Sequence, residues 1–86
     1  MARYRIAIKK SAVKELGDIP KRDLRRITKR IQSLADNPRQ PGSEKLTAQE
    51  HYRIREGDYR IVYLIDDANQ VIDIFKIGHR REIYRR

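Results

Sequence analysis

The sequence predicts an α+β domain, a small antiparallel-type sheet packed with two N-terminal helices. Three observations predict it. Residues 3–8 alternate polar and apolar, which is the period of a half-buried strand. Leu24, Ile27, Ile31 and Leu34 recur at spacings of 3, 4 and 3, which is one face of a helix. Three extended apolar runs then follow between residues 52 and 77, separated by turn residues, as in a meander. With 86 residues the chain has room for one core, so residues 1–86 are expected to form a single domain.

In order, Arg3-Tyr4-Arg5-Ile6-Ala7-Ile8 puts Tyr4, Ile6 and Ile8 on one strand face. Ser11 is the expected cap of a short helix carrying Ala12, Val13 and Leu16. Gly17-Asp18-Ile19-Pro20 breaks that helix, and Pro20 suits the first turn of the next. The second helix buries Leu24, Ile27, Ile31 and Leu34, while Lys21, Arg22, Arg25, Arg26, Lys29 and Arg30 take the rest of its surface. Asn37-Pro38 ends it, because proline pushes the preceding residue out of the α region. Residues 37–50 read as a connecting loop. Tyr52-Arg53-Ile54-Arg55 and the run from Tyr59 to Ile65 flank Glu56-Gly57-Asp58, a hairpin signal. Asp66 to Gln70 form the second turn, and the third strand runs from Val71 to Ile77 with Ile72, Ile74 and Val71, Phe75 on opposite sides. Gly78 closes it, and residues 79–86 form a tail.

The chain carries 21 Lys and Arg against 12 Asp and Glu, a formal charge of +9. Fourteen of the cations are Arg, whose planar fork matches phosphate. Such a balance in a small domain points to nucleic acid or another polyanion, with a solvated basic surface as the plainer alternative. Residues 1–50 hold 13 cations and 6 anions and residues 51–86 hold 8 and 6, so the excess is +7 in the first part and +2 in the second. There is no cysteine, which excludes disulfides and thiol catalysis, and two histidines do not make a dedicated metal site. No cofactor is implied. No apolar run approaches a bilayer span and no signal-peptide pattern opens the chain, so a soluble, cytoplasmic protein is expected.

Two arginine clusters follow from alternation. Tyr52 and Ile54 share one face and Arg53 and Arg55 the other; Tyr59 and Ile61 share one face and Arg60 the other. Pairing around Gly57 brings Arg60 across from Arg53 or Arg55. Like charges opposed on a sheet are destabilising unless an anion lies between them. The alternative is a solvated face with the arginines near Glu56, Asp58 or Asp73. A third cluster, Gly78-His79-Arg80-Arg81-Glu82-Ile83-Tyr84, emerges at one end of the sheet. Histidine moves protons, tyrosine orients phosphates or stacks on bases, and arginine stabilises charge at phosphorus. These are the parts of a metal-free ribonuclease, in which a 2′-hydroxyl attacks the adjacent phosphate. His51 reads as structural or incidental.

The ordered set Lys45-Leu46, Tyr52-Arg53-Ile54-Arg55, Tyr59-Arg60-Ile61-Val62-Tyr63 and Ile77-Gly78-His79-Arg80 with Tyr84 resembles the RelE/ParE toxin superfamily. Across almost the whole chain it is most similar to the RelE branch, the ribosome-dependent mRNA endonucleases of toxin–antitoxin modules. The resemblance implies a RelE-like fold and a RelB-like antitoxin partner. It also implies action on mRNA at the ribosome and a site of Arg53, Arg55, Arg60, Arg80 and Tyr84, with His79 where relatives often have histidine. Typical members carry lysines where Arg53 and Arg55 stand. A guanidinium stays protonated, so the expectation is that His79 transfers the proton while the arginines bind phosphate. The basic surface of the second helix, Lys21, Arg22, Arg25, Arg26, Lys29 and Arg30, is expected to dock on ribosomal RNA. Two other functions fit the same fold: a ParE-like inhibitor of DNA gyrase without nuclease activity, and a basic RNA-binding module without catalysis.

Overall fold

A computed structural model describes residues 3–46 and 51–79. Its elements are β1 (Arg5–Ile8), α1 (Lys10–Gly17), α2 (Lys21–Leu34), β2 (Glu44–Lys45), β3 (His51–Glu56), β4 (Tyr59–Asp66) and β5 (Val71–His79). The strands form one sheet in the order β1-β5-β4-β3-β2. The meander is as expected, with β4 at the centre between β3 and β5. Two features differ from the sequence reading. β1 runs parallel to β5, so the sheet is mixed rather than antiparallel. The stretch read as a loop contains β2, whose Glu44 and Lys45 pair with Arg53 and Tyr52.

The helix starts also differ. Lys9, not Ser11, is the residue before α1, and no side chain caps it. The cause is the β1 ladder, which extends far enough for the Lys9 N–H to donate to the Ile74 carbonyl (2.8 Å). Lys9 is therefore extended and the helix begins at once, with Ser11 already inside it. Pro20 stands just outside α2 rather than in its first turn. α2 stops at Leu34, before Asn37-Pro38, in a tightened last turn where the Ala35 N–H reaches the Gln32 carbonyl.

The core lies between the two helices and one face of the sheet. Ala12, Ile27, Ile31 and Leu34 meet Ile54, Ile61, Tyr63, Ile65, Ile72, Ile74 and Ile77, with Leu24 partly buried at the margin. Tyr63 is fully buried, stacks on Tyr52 at 5.9 Å, and donates its hydroxyl to the Pro38 carbonyl (2.7 Å). It thereby ties the segment after α2 to the sheet. Burial pushes its phenol up to about 12.

Strand β5 contains a bulge. Val62 pairs with Lys76 and Tyr63 with Ile74, so Phe75 is the extra residue. The core positions of β5 are accordingly Ile72, Ile74 and Ile77, a spacing of two and then three. β1 pairs with β5 only from Val71 to Ile74. Beyond that point α1 takes over the edge: the Glu15 carboxylate accepts the Ile77 N–H at 2.8 Å and lies 3.4 Å from the Lys76 ammonium.

Candidate functional site

The face of the sheet opposite the helices carries the arginines. Alternation on β3 and β4 puts Ile54, Ile61 and Tyr63 against the helices, so Arg53, Arg55, Arg60 and Val62 point the other way. The hairpin register decides the partner that alternation alone left open: Arg60 is directly opposite Arg55, and Arg53 is opposite Val62. The two-residue turn enforces this. Gly57 has φ of +60° at its first position, the conformation of a type II′ turn, which matches the twist of the strands.

Across β4, Arg60 is opposite Gly78, so three strands contribute the row Arg55, Arg60 and Gly78. The next row is Glu44, Arg53, Val62 and Lys76. Arg60 is only 5% exposed although it lies on this face. Arg60 Nη1 donates to the Tyr59 carbonyl at 3.1 Å. Arg53 is ion-paired with Glu44, whose carboxyl is held below the usual carboxylate range by the Arg53 hydrogen bond and charge, with Arg55 adding to the field. Arg55 is exposed.

His79 is placed elsewhere. It pairs with Tyr59, and the two rings meet edge to face at 5.7 Å. Tyr59 packs against the core, and both rings line a cleft of roughly 170 Å³ with Glu15, Asp18 and Ile19. The imidazole is therefore on the helix side of the sheet, across from the arginines. The bulge is the physical reason. Without the extra residue at Phe75, the phase of Ile72 and Ile74 would bring His79 to the arginine face. With it, Ile77 and His79 turn to the helices and Gly78 to Arg60. Arg80 and Tyr84 lie outside the described residues. Of the α2 cations, Lys21, Arg22, Arg25, Arg26 and Lys29 are exposed. Arg30 is half-buried and bonds Glu56 of β3 (2.9 Å) and Gln40 (2.9 Å), joining α2 to the sheet.

The family model for the ParE toxin of the type II toxin–antitoxin system parDE matches residues 6–84. The chain belongs to this RelE/ParE superfamily of toxins. The toxin is 31% identical over 84 residues to the protein named toxin RelE of Mycobacterium tuberculosis, covering 95% of this chain and 87% of the relative. It superimposes on the archaeal RelE–RelB complex of Pyrococcus horikoshii with a TM-score of 0.77 and 34% identity, covering 93% of this chain and 97% of that one. For the RelBE2 toxin–antitoxin complex of Mycobacterium tuberculosis the TM-score is 0.80 at 25% identity, covering 91% and 99%.

Three features of the toxin's arginine face were not singled out in the sequence. Glu44, the partner of Arg53, sits in a two-residue strand too short to show alternation. Phe75, placed on this face by alternation from Ile72 and Ile74, lies 5.3 Å from the His51 ring. His51, read as incidental, shares the face of Arg53 and Arg55 by simple alternation along β3. The signal for the bulge was available in the Ile72, Ile74, Ile77 spacing.

Proposed function

We propose that the toxin is an endoribonuclease that cleaves translated mRNA in the ribosomal A site. The observation that carries this reading is the direct opposition of Arg55 and Arg60, with Arg53 one row away. Two arginines at directly opposed positions on adjacent strands cost stability, and a bound phosphate relieves that cost. In the proposed reaction a substrate 2′-hydroxyl gives its proton to solvent water and its oxygen bonds to the adjacent phosphorus. The bond to the 5′-oxygen breaks and that oxygen takes a proton from solvent, leaving a cyclic phosphate and a 5′-hydroxyl. Arg53, Arg55 and Arg60 hold the phosphate and stabilise its developing charge. Arg80 and Tyr84 keep the roles the family resemblance implies, a further phosphate contact and the orientation of a nucleotide. His79, on the helix side, is assigned to packing against Tyr59 rather than to proton transfer.

The exposed cations Lys21, Arg22, Arg25, Arg26 and Lys29 form the docking surface for ribosomal RNA. Arg30 is assigned to structure. A RelB-like antitoxin is the proposed protein partner, since the similar toxins of P. horikoshii and M. tuberculosis were solved as RelE–RelB and RelBE2 complexes. The site of action is the cytoplasm, where translation occurs. The match to a family described as ParE toxins favours a second reading, inhibition of DNA gyrase. One experiment separates the two. The toxin is added to a translation extract and mRNA 5′ ends are mapped by primer extension, with Arg60→Ala as control. New ends inside translated codons that vanish in the variant support the endonuclease. Intact mRNA together with arrested DNA supercoiling supports the gyrase reading.

A further inference from the structure

We infer that Phe75, His51 and Leu64 form a shelf that receives a nucleobase of the RNA strand whose phosphate lies over Arg53, Arg55 and Arg60. The inference rests on the endonuclease reading for its ligand, and it adds where a base of that ligand goes.

The shelf is a groove of roughly 530 Å³ on the arginine face, with Asp73 and Ala7 along its floor and Lys9 at its rim. That volume is in the range of small-molecule sites. Its floor is one cross-strand row, His51 opposite Leu64, Leu64 opposite Asp73 and Asp73 opposite Ala7. This row is two residues along the strands from the row of Arg53 and Val62, an advance of about 6.6 Å. A base on the shelf and a phosphate over Arg53 are thus neighbours along one strand of nucleic acid.

The rings argue for a base in particular. The chain's one phenylalanine is not in the core but half-exposed on this face, where alternation from Ile72 and Ile74 places it. The ring of His51 lies 5.3 Å from that of Phe75 at 57°, leaving an aromatic corner against which a planar group can stack. Polar groups complete the fit. Lys9 supplies a cation at the rim for a flanking phosphate, and Asp73 offers an acceptor to an exocyclic amino group. Adenine, cytosine and guanine carry such a donor and uracil does not, so Asp73 selects against uracil at this position.

The test uses the full chain and a six-nucleotide 2′-O-methyl RNA containing 2-aminopurine, which cannot be cleaved through its 2′-oxygens and reports stacking by fluorescence. The expected result is quenching on binding at low salt. Phe75→Ala should weaken affinity about tenfold and abolish the quenching, while Phe75→Tyr keeps both. Asp73→Asn should reduce the preference for amino-bearing bases over uracil. If Arg60→Ala loses binding while Phe75→Ala matches the wild type, the shelf inference is overturned and the endonuclease reading stands. If the wild type shows no RNA binding, the shelf is overturned, and primer extension in the translation extract judges the endonuclease reading separately. If Phe75→Ala binds RNA normally and weakens only the complex with a RelB-like antitoxin, the shelf is a protein-docking surface and the inference fails.

Discussion

Arg60 shows how much a single side chain can be asked to do in this toxin. It is buried, it donates to the backbone of its own hairpin, and it faces Arg55 across the strand pair. Arg60→Lys keeps the charge but loses the fork that binds phosphate through two bonds. The expected outcome is loss of about a hundredfold in the rate of mRNA cleavage, with a melting temperature close to wild type. Retained activity in Arg60→Lys would reduce the residue to a point charge. His79→Ala is expected to keep the cleavage rate within a few-fold, because the imidazole lies across the sheet; a large loss in that variant would restore proton transfer to it. The arginine face was legible at this scale, since alternation along β3 and β4 is unbroken. The position of His79 was not, because one extra residue at Phe75 reverses the facing of everything after it. Tyr63 gives a pH prediction. Its folded phenol titrates at about 12, above the unfolded value near 10. The neutral form is favoured by folding, so the stabilisation is complete below pH about 10 and is lost as pH rises through 12. Tyr63→Phe removes this alkaline transition, and it also removes the bond to the Pro38 carbonyl, at a cost of about 1–2 kcal/mol at neutral pH. Urea unfolding at pH 7 and pH 11 measures both.

Between elements, the hairpin turn and the α2–β3 clamp set the geometry of the site. Gly57 at φ +60° is the one residue in the β3–β4 turn that L side chains rarely tolerate. Among the described residues a Cβ there would meet only the Arg26 guanidinium at an ordinary 3.6 Å, so the cost of Gly57→Ala is backbone strain, about 1–2 kcal/mol. Because the same turn holds Arg55 opposite Arg60, cleavage should fall in this variant by more than its stability loss explains. Gly57→Asn, which enters positive φ more readily than alanine, should recover part of both. Guanidinium-chloride titration alongside primer extension checks the pair. The element scale was also where sequence reading stopped. The β3–β4 hairpin was visible because Gly57 punctuates two alternating runs. β2 was not, because Glu44 and Lys45 become a strand only through pairing with Arg53 and Tyr52. The parallel direction of β1 was equally hidden, because it is set by where the chain re-enters the sheet beside β5 after the helices and not by any local pattern.

At the scale of the whole molecule, the charge of +9 separates into sets with different work to do. Arg30 is spent on holding α2 to β3 and Arg53 is paired with Glu44, so neither contributes freely to docking. Lys21, Arg22, Arg25 and Lys29 are exposed along α2 on the side away from the core. Arg26 is exposed too but shares Asp23 at 2.7 Å. If α2 docks on ribosomal RNA, each cation that neutralises a phosphate releases counterions on binding. The triple change Lys21→Gln, Arg25→Gln and Lys29→Gln should therefore lower ribosome affinity. It should also flatten the dependence of log affinity on log salt by about 2 to 3. Stability should move little, since exposed charges of this kind contribute at most about 1 kcal/mol each. Arg30→Gln is the counter-experiment. It breaks the bonds to Glu56 and Gln40, so it should reduce stability by about 1–2 kcal/mol while leaving the salt slope where it was. Sedimentation with ribosomes across a salt series, paired with thermal melts, reads both quantities. A triple variant with an unchanged slope would remove α2 from the docking surface and move it to another face of the toxin.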